Sequence, residues 1–252
     1  MNTKRNFHRS FLYRVLYFLY SQAVYYCRNT PNRRNSFSVF PPGSTNDLSG
    51  SFEKFGTDKG GHGVNVHHNY DLAYSLLFSS RKLSTQAFLE IGIGTTDTTI
   101  TSSMGPNGVP GASLRAWREF FPNARIYGAD VDKGILFNED RIECYYVDQE
   151  DPSTLKDLSL KLERLKISFD IILDDGLHTL RAATNTFLAL EHLLAINGIY
   201  VIEDVPFRKW GAYSKEFNIT GFQTYCIRLK NPKSNRFSGD NSLVVLFKNY
   251  QV

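Results

Sequence analysis

The feature that most constrains this chain is a run of short apolar segments, most of them separated from the next by a stretch of helical period. Residues 87–91, 125–129, 142–147, 169–173 and 199–202 read as buried strands, the last entered through the turn pair Asn197-Gly198. Between them, 111–121 reads as a helix stopped by Pro122. Residues 153–166 carry Leu155, Leu158, Leu162 and Leu165 at helical spacing, and 179–194 place Leu180, Ala183, Phe187, Leu190 and Leu194 on one face. Repeated strand–helix–strand units specify a parallel sheet covered on both faces. Two late runs, 222–229 and 242–248, read as further strands around a loop rich in Pro, Asn, Ser and Gly. Sheets of this kind bind ligands beyond the carboxyl ends of their strands, and those ends carry this chain's unusual residues.

Composition narrows the class. Hydrophobic residues make up 42% of the 252 and charged ones 21%, ordinary values for a globular chain, while 14% aromatic content calls for bulky core fillers. The net charge of +4 is concentrated in the first forty residues, in Lys4, Arg5, Arg9, Arg14, Arg28, Arg33 and Arg34. The body is close to balanced, which argues against a nucleic-acid-binding role. Cys27, Cys144 and Cys226 are isolated, with no ligand spacing among them, so a disulfide framework or a zinc site is not expected and a reducing cytoplasm fits best.

Residues 11–26, FLYRVLYFLYSQAVYY, are apolar but interrupted by Arg14 and shorter than the ~20 residues of a spanning helix. No small-residue cleavage site follows. Phe11, Leu12, Val15, Leu16 and Leu19 share a helical stripe, so the segment reads as an amphipathic helix. It would pack on the body or on another subunit, or lie peripherally on the inner face of a membrane with help from its flanking cations. Residues 29–50 read as an irregular strap, which divides the chain into an N-terminal appendage, 1–50, and one domain, 51–252.

The first strand runs into Glu90-Ile91-Gly92-Ile93-Gly94, and glycines at this point let a ligand approach the backbone. The third glycine of the dinucleotide fingerprint is absent, which counts against a nicotinamide-dependent oxidoreductase. Asp130 ends the second strand, where a carboxylate can accept hydrogen bonds from a ribose, and Asp148 follows the third, near the place of an adenine. Each acid alone would serve as a turn or cap residue; together with the glycines they suggest a nucleoside-containing cofactor. Asp174-Asp175 ends the fourth strand and Glu203-Asp204 the fifth. Adjacent strands lie about 5 Å apart, so these carboxylates are expected to converge and to need a cation between them. An all-oxygen set favours Mg²⁺ or another hard divalent ion over zinc; helix caps and solvated acids are the alternative. His178 follows three residues beyond Asp175, as catalyst or as cap.

These stretches resemble a known family. Glu90-x-Gly92-x-Gly94 with Asp130 is similar to the cofactor motif of class I S-adenosylmethionine-dependent methyltransferases. More narrowly, Phe55-Gly56-Thr57-Asp58-Lys59-Gly60, Gly111-Ala112-Ser113-Leu114-Arg115-Ala116-Trp117, Ile126-Tyr127-Gly128-Ala129-Asp130, Asp174-Asp175-Gly176-Leu177-His178 and Val201-Ile202-Glu203-Asp204 resemble the metal-dependent sugar O-methyltransferases of the macrocin and mycinamicin type, over residues 52–248. The resemblance implies a Rossmann-like α/β fold with a seven-stranded, mostly parallel sheet and a C-terminal antiparallel hairpin. It implies S-adenosyl-L-methionine as cofactor, held around Glu90, Gly92, Gly94, Ser113, Asp130, Asp148 and Asp174. It implies Mg²⁺ on Asp175, Glu203 and Asp204, with His178 as general base. The acceptor would be a hydroxyl on a sugar of a surface glycan or glycosylated metabolite, and the enzyme a homo-oligomer. The same chemistry on a non-sugar hydroxylated compound, or a cofactor-binding scaffold without turnover, would leave the same motifs.

Residues 94–111 form a Gly- and Pro-containing loop long enough to cover a cofactor, which accounts for the distance from the glycines to Asp130. Arg115 reads as a cofactor contact or a surface residue. His62, His67 and His68 read as wall or subunit contacts beside the site rather than another metal site. Phe207, Trp210 and Tyr213 read as an acceptor-stacking surface or as packing.

Overall fold

The computed structural model describes residues 36–39, 47–60, 68–230 and 237–249. The segment 11–26, Cys27, His62 and His67 lie outside them. In chain order the elements are β1 (Ser36–Val39), α1 (Asp47–Phe55), α2 (Tyr70–Phe78), β2 (Ala87–Ile91), α3 (Ala112–Phe120), β3 (Arg125–Asp130), β4 (Asn138–Glu139), β5 (Ile142–Tyr146), α4 (Pro152–Arg164), β6 (Phe169–Asp174), α5 (Leu180–Leu190), β7 (Leu194–Ile202), α6 (Trp210–Glu216), β8 (Phe222–Lys230) and β9 (Phe237–Lys248). Among the described residues, no helix is long and apolar enough to cross a membrane.

The strands form one sheet in the order β1-β8-β9-β7-β6-β2-β3-β5-β4. Strands β2, β3, β5, β6 and β7 run parallel, and β9 enters antiparallel between β7 and β8. The expected seven strands with their terminal antiparallel hairpin are all present. The described sheet is wider than expected by two short edge strands, β1 parallel to β8 and β4 antiparallel to β5. Both are too brief to give a period, and β1 falls inside the segment read as a strap. The Asn197-Gly198 pair is a second departure. Instead of a turn before the strand, it lies within β7, where the register against β6 shifts between Phe169 and Ile171. Asn197 takes the left-handed φ of 65° that such an irregularity requires.

Alternation along the strands sends side chains to two cores. On one face Phe88, Ile126, Ile171, Leu173 and Val201 meet α1, α2 and α3. On the other Leu89, Ile91, Tyr127, Ile172, Tyr200 and Ile202 meet α4, α5 and α6. Trp117 of α3 anchors the first core, fully buried with ring centroids 5.0 Å from Phe52, 5.3 Å from Tyr74 and 4.9 Å from Phe88. Burial of aromatics on this scale dominates core energetics. On the second face, Asp151 accepts from Ser153 N at 2.9 Å and Pro152 occupies the first turn, which starts α4; Thr179 accepts from Ala182 N at 3.1 Å and starts α5.

Candidate active site

The strand ends are stitched together before any side chain is considered. Gly92 N donates to Ala129 O at 2.8 Å, Asp175 N to Ile91 O at 2.8 Å, and Glu203 N to Asp174 O at 2.9 Å. Over these ends lies a cavity of about 450 Å³ lined by Gly92, Gly94, Ser113, Asp130, Asp148, Gln149, Asp175, His178 and Asp204, among others. That size suits a small-molecule ligand. Gly92 has φ of +85°, and a Cβ there would sit 2.0 Å from the carbonyl oxygen of Asp175. No other residue can bring β2 and β6 so close. Gly94, with the same φ, lies beneath Met104; a Cβ there would meet its Cε at 2.3 Å. Met104 belongs to the loop read as a cover. Its backbone N donates to Thr95 O at 2.9 Å, so the loop folds back over the cavity, and Gly111 N donates to Ile93 O at 2.8 Å.

Asp130 is buried, and its two oxygens accept from Ile93 N at 2.8 Å and Asp132 N at 2.9 Å. Burial pushes its carboxyl up and these amide bonds pull it back. Asp148 lines the cavity while its carboxylate accepts from Glu150 N at 2.8 Å, the turn contact that was its alternative reading. Arg115 pairs with Glu139 at 2.7 Å and lies over the Phe137 ring, away from the cavity lining. Trp210 and Tyr213 are buried in the second core, with Trp210 Nε1 donating to Ser242 Oγ at 3.0 Å, and Phe207 packs on Trp210 with centroids 5.0 Å apart. None of the three lines the cavity.

The acids of the two pairs separate by alternation. Asp174 continues the face of Ile172 and turns away from the cavity. There it accepts from Gln149 Nε2 at 2.7 Å and from the more distant Tyr200 hydroxyl at 3.5 Å. Burial raises its carboxyl to about 6. Gln149 in turn accepts from Leu177 N at 2.7 Å, which shapes the turn leading to His178. Glu203 continues the face of Val201 and is buried against α2, where the Tyr74 hydroxyl donates to one of its oxygens. Neither Asp174 nor Glu203 lines the cavity.

What remains at the mouth is Asp175, His178 and Asp204, whose ligand atoms lie within 4.8 Å of one another. His178 Nε2 is 3.1 Å from Asp175 Oδ1 and 3.6 Å from Asp204 Oδ2. Both His178 and Asp204 hold positive φ, 57° and 52°. Such a backbone conformation is held only where the surrounding structure fixes it. Although burial works against the imidazolium, Asp175 and Asp204 hold His178 up at about 9. Asp204 also accepts from the Tyr70 hydroxyl, and His68 Nδ1 lies 3.5 Å from it, stacked on the Tyr70 ring.

Lys59 was not singled out from the sequence. Its ammonium, on a side chain 3% exposed, reaches the ends of β2, β6 and β7 at once: 3.4 Å from Glu90 Oε1, 2.8 Å from Glu203 Oε2, and hydrogen-bonded to Asp175 Oδ2. Burial opposes its charge, yet Asp175, Glu203 and Glu90 together hold it well above the ordinary lysine range. Glu90 is fully buried beneath the cavity, and burial raises it to about 7. Tyr70 and Tyr74 were likewise unmarked; their i,i+4 spacing on an apolar helix, with two hydroxyls needing partners, was the available signal.

The sheet order and hairpin are those of the class I methyltransferase fold. No family model matches the chain. Among curated relatives, it is 29% identical over 171 residues to the 8-demethyl-8-alpha-L-rhamnosyl tetracenomycin-C 2'-O-methyltransferase of Streptomyces olivaceus, covering 68% of this chain and 41% of that protein. It is 38% identical over 103 residues to the demethylmacrocin O-methyltransferase of Streptomyces fradiae, covering 41% of this chain and 24% of that one. Among solved structures, the MycE methyltransferase of the mycinamycin biosynthetic pathway, in complex with Mg and SAH, superposes with a TM-score of 0.52 at 30% identity, covering 69% of this chain and 40% of that one. The resemblance read from the motifs is thus borne out, and this chain spans about two fifths or less of the curated relatives it matches.

Proposed function

We propose that this chain is an S-adenosylmethionine-dependent O-methyltransferase that methylates a sugar hydroxyl on a glycosylated small molecule with the help of a hard divalent cation. The observation that carries this reading is one cavity shared by two half-sites: the Gly92–Gly94 turn with Asp130 and Ser113 on one side, and Asp175, Asp204 and His178 on the other. The donor chemistry fits both groups. The Gly92–Gly94 turn lines the cavity beside Asp130, where a nucleoside ligand lies against backbone at the end of a first strand, and the Asp175 and Asp204 carboxylates, with oxygens within 4.8 Å of each other, are hard donors that suit a divalent cation.

The bound cofactor supplies a sulfonium methyl, and a bound divalent ion polarises the acceptor oxygen. This chain's residues do the rest. Asp130, already fixed by two backbone amides, presents its remaining lone pairs to a ribose. Asp175 and Asp204 hold the cation, with Glu203 behind them in contact with Lys59 and Tyr74. His178 Nε2 takes the acceptor's proton once it is neutral, and the Met104 loop excludes water from the cavity. Three of the relatives are named for a rhamnosyl or olivosyl group on a small molecule, which favours such an acceptor over a surface polysaccharide or a bare hydroxylated compound.

The test is calorimetric binding of S-adenosylmethionine with and without Mg²⁺, followed by labelled methyl transfer to glycosides and to their aglycones. Turnover on glycosides only is expected. His178→Gln is expected to retain cofactor binding while losing about 10²–10⁴-fold in kcat. Absence of cofactor binding refutes the reading, and a fully active His178→Gln refutes its base.

A further inference from the structure

Three carboxylates from three adjacent strands, Glu90, Asp175 and Glu203, converge on one point, and that point is filled by an ammonium from the segment between α1 and α2. We infer that Lys59 is a built-in counter-cation, a positioning residue that occupies one cation position at the strand ends and so limits how tightly the acidic site takes up divalent ions. The inference rests on the methyltransferase reading above for its metal.

The geometry is that of a fixed group. Lys59 is 2% exposed, and its neighbours are anchored. Thr57 N donates to Phe52 O at 3.1 Å, Asp71 N to Lys59 O at 3.2 Å, and a Cβ on Gly60 would press on Phe52 at 3.1 Å. The ammonium therefore cannot swing out to solvent as a surface lysine does. Its oxygens at 2.8 and 3.4 Å are at ion-pair distance, beyond the 2.0–2.1 Å of Mg–oxygen bonds. Glu90 is fully buried, and Lys59, 3.4 Å from its Oε1, is the charge that does most to offset that burial, with a smaller contribution from Ser113. Asp175 is shared: Oδ2 faces Lys59 and Oδ1 faces His178, the edge of the cluster open to the cavity. One positive charge is thus set permanently against an oxygen set that would otherwise serve a second cation, and it repels any ion held by Asp175 and Asp204.

The test is Mn²⁺ titration of the full chain at pH 8 by calorimetry and electron paramagnetic resonance, for wild type, Lys59→Met, Glu90→Gln and the double variant, each checked by thermal unfolding. Lys59→Met is expected to take up a second Mn²⁺, or the same ion at least about tenfold more tightly. Glu90→Gln, which keeps the ammonium and removes one opposing charge, is expected to bind about threefold or more weakly. The double variant is expected to return to wild-type uptake. A merely structural lysine predicts the reverse sign, weaker binding by Lys59→Met. Unchanged or weaker uptake by Lys59→Met overturns the inference, as does unchanged uptake by Glu90→Gln, the arm that remains decisive if Lys59→Met does not fold. If the wild type binds no Mn²⁺, the metal reading itself falls and takes the inference with it; if the wild type binds and the variants do not shift, the inference alone falls.

Discussion

Gly92→Ala is the perturbation whose consequences the structure defines most fully. Two costs add. The first is backbone: φ of +85° places an alanine in the left-handed region, at about 1 kcal/mol or slightly more. The second is steric. The new Cβ would lie 2.0 Å from Asp175 O, 2.6 Å from its carbonyl carbon and 2.9 Å from Gly176 Cα, all backbone atoms that cannot rotate aside. To restore even a tight contact of 3.4 Å, the Asp175 carbonyl must retreat by about 1.4 Å, strain of the kind that costs ~1–3 kcal/mol in packed interiors. The sum is roughly 2–4 kcal/mol, or a melting temperature lower by ~5–15 °C in a chain of this size. The same retreat opposes the 2.8 Å bond from Asp175 N to Ile91 O and moves Asp175 relative to Asp204, so Mn²⁺ uptake is expected to weaken in parallel. Gly105→Ala separates the two costs. Its φ is +78° but nothing lies within 4 Å of the added carbon, so only the backbone cost of about 1 kcal/mol applies. Urea unfolding of both variants, with Mn²⁺ calorimetry on each, is the assay. If Gly92→Ala costs no more than Gly105→Ala and binds Mn²⁺ as the wild type does, the argument that this glycine sets the distance between β2 and β6 is wrong.

Two further outcomes are expected. His178, held at about 9 chiefly by Asp175 against the opposing effect of burial, is expected to move downward by more than ~1 pH unit when Mg²⁺ occupies the neighbouring carboxylates. Carbon-labelled histidine followed by NMR across a pH series reads this directly, and a value unmoved by saturating Mg²⁺ would separate His178 from the cation site. Asp174 is raised by burial from 3.8 to about 6, so the native state binds its proton more tightly than the unfolded chain does. Its contribution is therefore fully present below pH 3.8 and is lost as pH rises through 6, a change on the order of 2–3 kcal/mol. Asp174→Asn keeps an acceptor for Gln149 and has no proton to lose. Its stability relative to wild type should rise between pH 4 and pH 7.5 in urea unfolding, and an equal difference at both ends would refute the assignment.

The sheet was legible because its strands are apolar, short and regularly spaced, and the acids at their ends were legible because carboxylates do not otherwise follow such runs. The grouping of those acids was not. Asp174 and Asp175, adjacent in sequence, fall on opposite sides of the sheet end, and the period-two rule that separates them was already available in the run Phe169-Asp170-Ile171-Ile172-Leu173. A cation was expected among the carboxylates as a metal; Lys59 supplies a positive charge there as well, beside the Asp175 and Asp204 carboxylates that face the cavity. Its contacts with Asp175 and Glu203 span 116 and 144 residues of sequence, and no local pattern around Asp58-Lys59-Gly60 announces them. The Asn197-Gly198 pair misled because the dipeptide that makes a turn also makes a bulge, and only the partner strand decides between them.

The long reach of Lys59 has a bearing on how the molecule acquires its structure. During synthesis the lysine emerges before its strand partners, the second of which appears 116 residues later and the third 144 residues later. Contacts of such separation are closed late, after the local helices and the neighbouring strand pairs have formed. Until β7 is in place, the growing chain carries a lysine with an incomplete set of anions and carboxylates with an incomplete set of cations, each still hydrated. Charge neutralisation at the strand ends is thus expected to coincide with closure of the sheet, an order that pulsed hydrogen exchange during refolding would check.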